Sequence, residues 1–78
     1  MKLNEYVFIL RWRNKQYTNM TEIIFSIECS DQRTAEEKAF EEAMRIHKNM
    51  CMKDKDFSNN YYYLGIQLVR VVPRYNWE

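Results

Sequence analysis

The sequence predicts a two-layer α+β domain with the element order ββαβ. Three observations support this prediction. Two early segments have the composition or two-residue period of strands, a central segment has the period of a helix, and a long β-branched and aromatic segment follows. We expect a three-stranded sheet in the order 2-1-3 with one helix packed on one face, because a right-handed crossover brings the third strand beside the first. The alternative topology places the third strand beside the second.

Length and composition fit a single small domain over residues 1–78. The chain has 12 basic and 11 acidic residues; 46% of its residues are hydrophobic and 29% are charged. This balance excludes a disordered chain, and no apolar run is long enough to span a membrane. With two cysteines and no signal-like segment at the start, we expect a reducing, cytoplasmic location, which is the host cytoplasm if the protein is encoded by a phage.

The first two strands, residues 6–13 and 22–29, are predicted to form a hairpin. The second alternates apolar and polar side chains, so one face of the hairpin is core. A register in which the numbers of paired residues sum to 35 matches the character of the side chains on both faces. It sets Trp12 opposite Ile23, Leu10 opposite Phe25, Phe8 opposite Ile27 and Arg13 opposite Glu22. A slip of two residues would leave the two faces unchanged.

The helix is predicted over residues 35–50. Thr34 and Glu37 have the spacing of a capping box, which marks the start of a helix. Apolar and small side chains then share one arc of the helical projection, which predicts a single buried stripe. The arc contains Ala35, Ala39, Phe40, Ala43, Ile46, His47, Met50 and Cys51.

The remainder of the chain is predicted as a loop followed by the third strand. Residues 54–60 have no periodicity, whereas residues 61–72 are rich in tyrosine and β-branched side chains. Pro73 is expected to end this strand.

We expect no enzymatic activity, no cofactor and no metal site. A zinc site requires about four ligands with paired spacing, and this chain offers only Cys29, His47 and Cys51. The last two lie on the apolar edge of the predicted helix, where packed side chains are far more common than ligands. No serine or cysteine stands in a nucleophile motif, and Gly65 alone cannot build a phosphate-binding loop.

The sheet face opposite the helix is the predicted partner-binding surface. Val7, Ile9 and Ile24 point to that face, and one helix cannot cover both sides of a sheet. We expect a protein target or a second copy of the chain to bind there; the alternative is that residues 52–60 or the C-terminal tail cover the face. The candidate binding residues combine this face and its charged rim with the acidic side of the helix and the C-terminal aromatic residues. They are Val7, Ile9, Arg11, Arg13, Ile24, Glu37, Glu41, Glu42, Tyr61, Tyr62, Tyr75 and Trp77.

The layout of the chain consists of an N-terminal strand pair, a helix that starts with TAEEKA at residues 34–39, and a single strand with a short tail. In size and layout the chain resembles the anti-CRISPR and antitoxin-like inhibitors that phages and mobile elements encode against host defences. The resemblance implies a non-catalytic protein that binds a host defence complex stoichiometrically. The net charge of +1 differs from the strongly acidic DNA mimics of this group.

A small nucleic-acid-binding regulatory module is the alternative function. Arg11, Arg13 and Lys15 lie on or beside the outer face of the sheet, among abundant aromatic residues. The near-neutral charge argues against it, because little counterion release would drive binding. Steep salt dependence of binding would distinguish this module from a protein-binding inhibitor.

Overall fold

The computed structural model describes residues 2–75. They form a three-stranded antiparallel sheet in the order β2-β1-β3, with the main helix packed on one face. The predicted fold class and strand order are therefore confirmed. The described part of the chain is elongated and measures 50 × 23 × 18 Å. In chain order the elements are β1 (Lys2–Asn14), β2 (Met20–Cys29), α1 (Gln32–Lys53), α2 (Phe57–Asn60) and β3 (Tyr61–Tyr75).

The core lies between α1 and the inner face of the sheet. Alternate residues of β1 from Tyr6 to Trp12 are buried against the helix. The helix contributes Ala35, Ala39 and Ala43, each 0% exposed. Because residues four apart lie one above another on a helix, these alanines form a single small-residue line. They let the backbone of α1 lie close to the sheet.

The register of the β1–β2 hairpin differs from the prediction by two residues. Paired residue numbers sum to 33, so Trp12 lies opposite Thr21 and Arg11 lies opposite Glu22. The predicted pairing of Arg13 with Glu22 is therefore wrong. The assignment of residues to the two faces holds, because a slip of two residues preserves it.

The turn between the strands explains this register. The side-chain Oδ1 of Asn14 accepts the backbone N–H groups of Gln16 at 2.8 Å and Tyr17 at 3.1 Å. The backbone N–H of Asn14 donates to the carbonyl of Asn19 at 3.0 Å. An asparagine that bonds the backbone ahead of it stabilises a tight turn, so Asn14 fixes a loop of residues 15–18 and with it the register.

Helix α1 is longer at both ends than predicted and begins before the predicted capping box. Its N-cap is Asp31, whose Oδ2 accepts the backbone N–H of Thr34 at 3.0 Å and the Thr34 hydroxyl at 3.1 Å. These hydrogen bonds lower the pKa of the Asp31 carboxyl. Thr34 therefore lies inside the first turn, and Glu37 is 3.9 Å from Arg33 in an ion pair. No helix within residues 2–75 combines the length and apolar character needed to cross a membrane.

We expect Asp31→Ala to lower the thermal unfolding midpoint, because the N–H of Thr34 loses its acceptor. The lowered pKa sets the sign of the pH dependence. The stabilisation is fully present above the ordinary aspartate pKa of 3.8 and is lost as the pH falls through the lower pKa of the folded state. Circular dichroism melts at neutral and strongly acidic pH test this. Asp31→Asn is the control, since it keeps an acceptor but cannot titrate; equal midpoints for wild type and Asp31→Ala at neutral pH would contradict the capping role.

The segment after α1 adds to the core, although a loop was predicted there. The short helix α2 carries Phe57, which is buried; its ring stands edge-on to Trp12 at 5.6 Å and stacks on Tyr61 at 4.7 Å. These contacts lie on the same side of the sheet as α1. Residues 57–60 therefore extend the helical layer and do not cover the opposite sheet face.

Strand β3 continues past its predicted end at Pro73 and reaches Tyr75. An edge strand tolerates proline when the missing N–H points away from the sheet, and the alternation of the ladder gives Pro73 that position. The strand bulges at Leu64 and at Val69, each of which is an extra residue relative to β1. Gly65 has φ +92°, which suits the first of these bulges because L side chains rarely adopt that angle.

Candidate functional site

The sheet face opposite α1 is more polar than predicted. Val7 and Ile9 point to this face but are only 7% and 9% exposed, because each sits on the central strand between side chains of β2 and β3. Arg11 connects all three strands: its guanidinium donates to Glu22 Oε2 at 2.7 Å and to Gln67 Oε1 at 2.9 Å. The expectation that Val7 and Ile9 form an exposed apolar patch is therefore wrong.

Other candidates on this face remain accessible. Ile24 is 68% exposed on the edge strand β2. Arg13 and Lys15 both approach the exposed Tyr62, with the Arg13 guanidinium carbon 5.2 Å and the Lys15 Nζ 5.0 Å from its ring centre. We call these three residues the basic corner. Tyr61 differs from its neighbour, because it stacks on Phe57 and belongs to the core side.

The acidic candidates of α1 separate into two groups. Glu42 forms a hydrogen-bonded ion pair with Arg45, which lowers the pKa of the Glu42 carboxyl. Glu37 and Glu41 instead lie beside Phe40 at a shallow depression of the helix surface. This depression is lined by Arg33, Glu36, Glu37, Phe40 and Glu41. Three carboxylates against one guanidinium give it an acidic character.

The two C-terminal candidates cannot be placed at the site. Tyr75 ends β3, but its side chain lies outside the described residues, as does the whole of Trp77. The site is therefore built from residues of the sheet and of α1.

A larger apolar exposure lies on the helix side of the sheet. Phe40 is 56% and Met44 is 41% exposed. Each residue of a helix is rotated by about 100° from the one before it, which places both side chains on the same side of the buried alanine line as His47. The ring of His47 lies 4.8 Å from the ring of Tyr63 in β3. Phe40 and Met44 therefore lie on the flank of α1 that faces β3. The prediction that Phe40 is buried is wrong, because α1 packs more closely on β2 than on β3 and leaves this flank open.

Strand β3 supplies the other wall of this open region. Ile66 and Leu68 pack partly buried against the core, and Val71 is 42% exposed beyond them. We call these three residues, together with Phe40 and Met44 on the facing flank of α1, the cleft face. Helix α1 is about 33 Å long whereas β3 is about 50 Å long, so the helix cannot cover the full strand.

The cleft face has distinct ends. Tyr63 and His47, whose rings are in contact, lie at one end of the cleft face. Partial burial raises the pKa of the Tyr63 hydroxyl. The acidic depression around Phe40 borders the other end. An apolar floor with an acidic border is suited to an apolar segment of a partner that carries basic residues beside it.

His47 and Cys51 form a structural contact. Trp12 Nε1 donates to His47 Nδ1 at 2.9 Å, and an indole N–H can only donate, so Nδ1 carries no proton. The proton of the neutral ring is therefore on Nε2, which lies 3.8 Å from Cys51 Sγ. In this tautomer the Nε2 N–H of His47 points a donor toward the thiol sulfur. Within the described residues, no three or more His, Cys, Asp or Glu side chains gather where they could hold a metal ion.

Sequence reasoning missed the main residues of the cleft face. Met44 lies just outside the predicted buried arc, and Val71 is on a strand whose inward face could not be assigned. A signal was available for Phe40, because it lies at the edge of the arc, where a helix displaced toward one strand exposes its side chains. No family model, no curated protein and no solved structure matches this chain.

Proposed function

We propose that this protein is a non-catalytic inhibitor or interaction module that binds a protein target through the cleft face. One observation carries the proposal: the apolar side chains of Phe40, Met44 and Val71 are 56%, 41% and 42% exposed, and all three lie on the helix side of the sheet. Contiguous exposed apolar surface on a small protein marks sites of association. Following the resemblance in layout, we take the target to be a component of a host defence complex, bound stoichiometrically.

The chemistry of the cleft face specifies the kind of target. Apolar side chains of the target would fill the space between α1 and β3 and exclude water from Phe40 and Met44. Basic side chains beside them would face Glu37 and Glu41 at the acidic depression. Charge complementarity of this kind mainly raises the association rate, so binding should slow as salt is added.

The basic corner supports nucleic-acid binding as a second candidate function. Arg13, Lys15 and Tyr62 combine two cations with an exposed aromatic ring, which is the composition of a backbone-binding surface. The same two cations lie over the Tyr62 ring, so they compete with a base for its face.

We expect Phe40→Ser combined with Met44→Ser to weaken target binding by about 2 kcal/mol or more, roughly thirty-fold in Kd, because buried apolar anchors dominate interface energies. The tagged full chain is used to capture partners from a bacterial lysate, and the captured protein is then titrated against each variant. The matched control is Met52→Ser, since Met52 is 71% exposed on the same helix and lies away from the cleft face.

Two results would contradict this function. Binding that survives the double variant unchanged would exclude the cleft face. The nucleic-acid module would instead be favoured if nuclease treatment and the double variant Arg13→Gln, Lys15→Gln both abolished capture. Capture would then also fall steeply as salt is added.

A further inference from the structure

Strand β2 is a sheet edge that carries two glutamates but has no bulge and no proline. Among residues 2–75 no strand lies beyond it. Its ten residues contain no glycine or proline and pair with β1 without irregularity. The other edge, β3, has two bulges and contains Pro73. Bulges and prolines hinder the pairing of edges, so β2 is the edge that is open to another strand.

The direction of the free backbone groups on β2 follows from two hydrogen bonds at the turn. The N–H of Asn14 donates toward the β2 side, to Asn19, whereas the N–H of Lys15 donates toward the β3 side, to Asn60. Antiparallel ladders alternate, so even-numbered residues of β1 bond to β2. Their partners on β2 have odd numbers. The outward backbone groups therefore belong to the even-numbered residues Met20, Glu22, Ile24, Ser26 and Glu28.

We propose that β2 pairs antiparallel with β2 of a second copy of this chain, around a two-fold axis at Ile24. The two sheets then continue into one six-stranded sheet. Ile24 is 68% exposed in the single chain and would lie directly opposite its own copy. This proposal is independent of the cleft face, which lies at the opposite edge of each sheet.

Charge selects this register over its neighbours. Pairing centred on Ile24 sets Glu22 opposite Ser26 and Met20 opposite Glu28. Pairing centred on Phe25 would set Glu22 opposite Glu28 twice, and like charges directly opposite destabilise a sheet. Pairing centred on Ile23 shortens the ladder, because the last residues of each strand have no partner.

The helix side of the sheet is compatible with the same axis. Ile23 and Phe25 are half-buried and would lie opposite each other across the two copies. They pack in the same cluster as Ala43, so the axis passes near the middle of α1. The nearby flank of the helix carries Glu42 and Arg45, which offer both charge signs to the copy of the helix related by the two-fold axis.

The test is sedimentation of the full chain over a concentration series that extends to the millimolar range. We expect wild type to pass from the 9.7 kDa monomer to a dimer. Ile24→Glu sets two carboxylates against each other at the axis and should weaken the dimer by at least about tenfold, while the exposed position keeps the unfolding midpoint near that of wild type. Ile24→Val is the control and should retain the dimer.

Ser26 variants test the register itself. Ser26→Lys places a lysine opposite Glu22 of the second copy and should tighten the dimer several-fold, whereas Ser26→Glu should weaken it. A wild type that stays monomeric throughout overturns the proposal. The proposal is also overturned if Ile24→Glu leaves the dimer unchanged while Val69→Glu on β3 dissociates it. The same holds if Ser26→Lys and Ser26→Glu have the same effect on the dimer. Loss of target capture without a change in sedimentation bears only on the cleft face.

Discussion

Trp12→Ala is expected to leave most of the protein unfolded at room temperature. Trp12 is 0% exposed, and its ring meets Phe57 and Tyr63 edge-on. Removing a buried aromatic ring costs about 3–5 kcal/mol, which equals the whole stability that a core of this size supplies. The substitution also removes the indole N–H that donates to His47 Nδ1, so this half-buried acceptor loses its hydrogen-bond partner.

Urea titration followed by far-ultraviolet circular dichroism measures this loss. Trp12→Phe is the control, because it retains most of the ring volume and removes the indole N–H. We expect Trp12→Phe to remain folded and to lose about 1–2 kcal/mol, from one hydrogen bond and a smaller cavity. A cooperative transition of Trp12→Ala near the wild-type midpoint would show that the ring does not hold α1 and α2 to the sheet.

Ala39→Leu is expected to destabilise the protein by about 2–3 kcal/mol, although it adds apolar surface. Ala39 is 0% exposed and packs in one cluster with Tyr6 and Phe8 of β1. The helix lies close to the sheet at this point, so a larger side chain must push it away or take a strained rotamer. The lost contacts along the alanine line outweigh the gain from burying the added carbons.

The adjacent residue provides a matched control for this prediction. Phe40→Leu changes a side chain that is 56% exposed and should alter the unfolding free energy by less than about 0.5 kcal/mol. Thermal and urea unfolding of both variants make the comparison. If Ala39→Leu is as stable as wild type, α1 is not held flat against the sheet and the cleft face would not keep the shape described above.

The cleft face, the outer sheet face and the β2 edge have different physical origins. The cleft face is open because α1 lies toward β2, whereas the outer sheet face is polar because Arg11 bonds both neighbouring strands. The β2 edge is open because three strands leave two edges and only β3 has bulges and a proline. The proposed target surface and the proposed dimer edge lie at opposite edges of the sheet, so neither would block the other.

The sequence by itself determined the fold class and the side-chain faces of β1 and β2, and it favoured one of two strand orders. These features depend on the period of the apolar residues, which a short stretch of sequence shows. Residues 22–29 alternate, and this alternation gives the same two faces after a slip of two residues; Ala35, Ala39 and Ala43 recur at the helical period. The crossover rule favoured the order 2-1-3, and the structure excludes the alternative in which β3 lies beside β2.

The tertiary structure alone decided the register and which apolar residues are exposed. The observed register goes with the turn that Asn14 caps, and it pairs Arg11 with Glu22 where the sequence predicted Arg13. Val7 and Ile9 are buried because the central strand has neighbours on both sides, and Phe40 is exposed because the helix lies off the centre of the sheet. The exposure of a side chain depends on how whole helices and strands are positioned relative to one another. The local period of apolar residues does not determine that position.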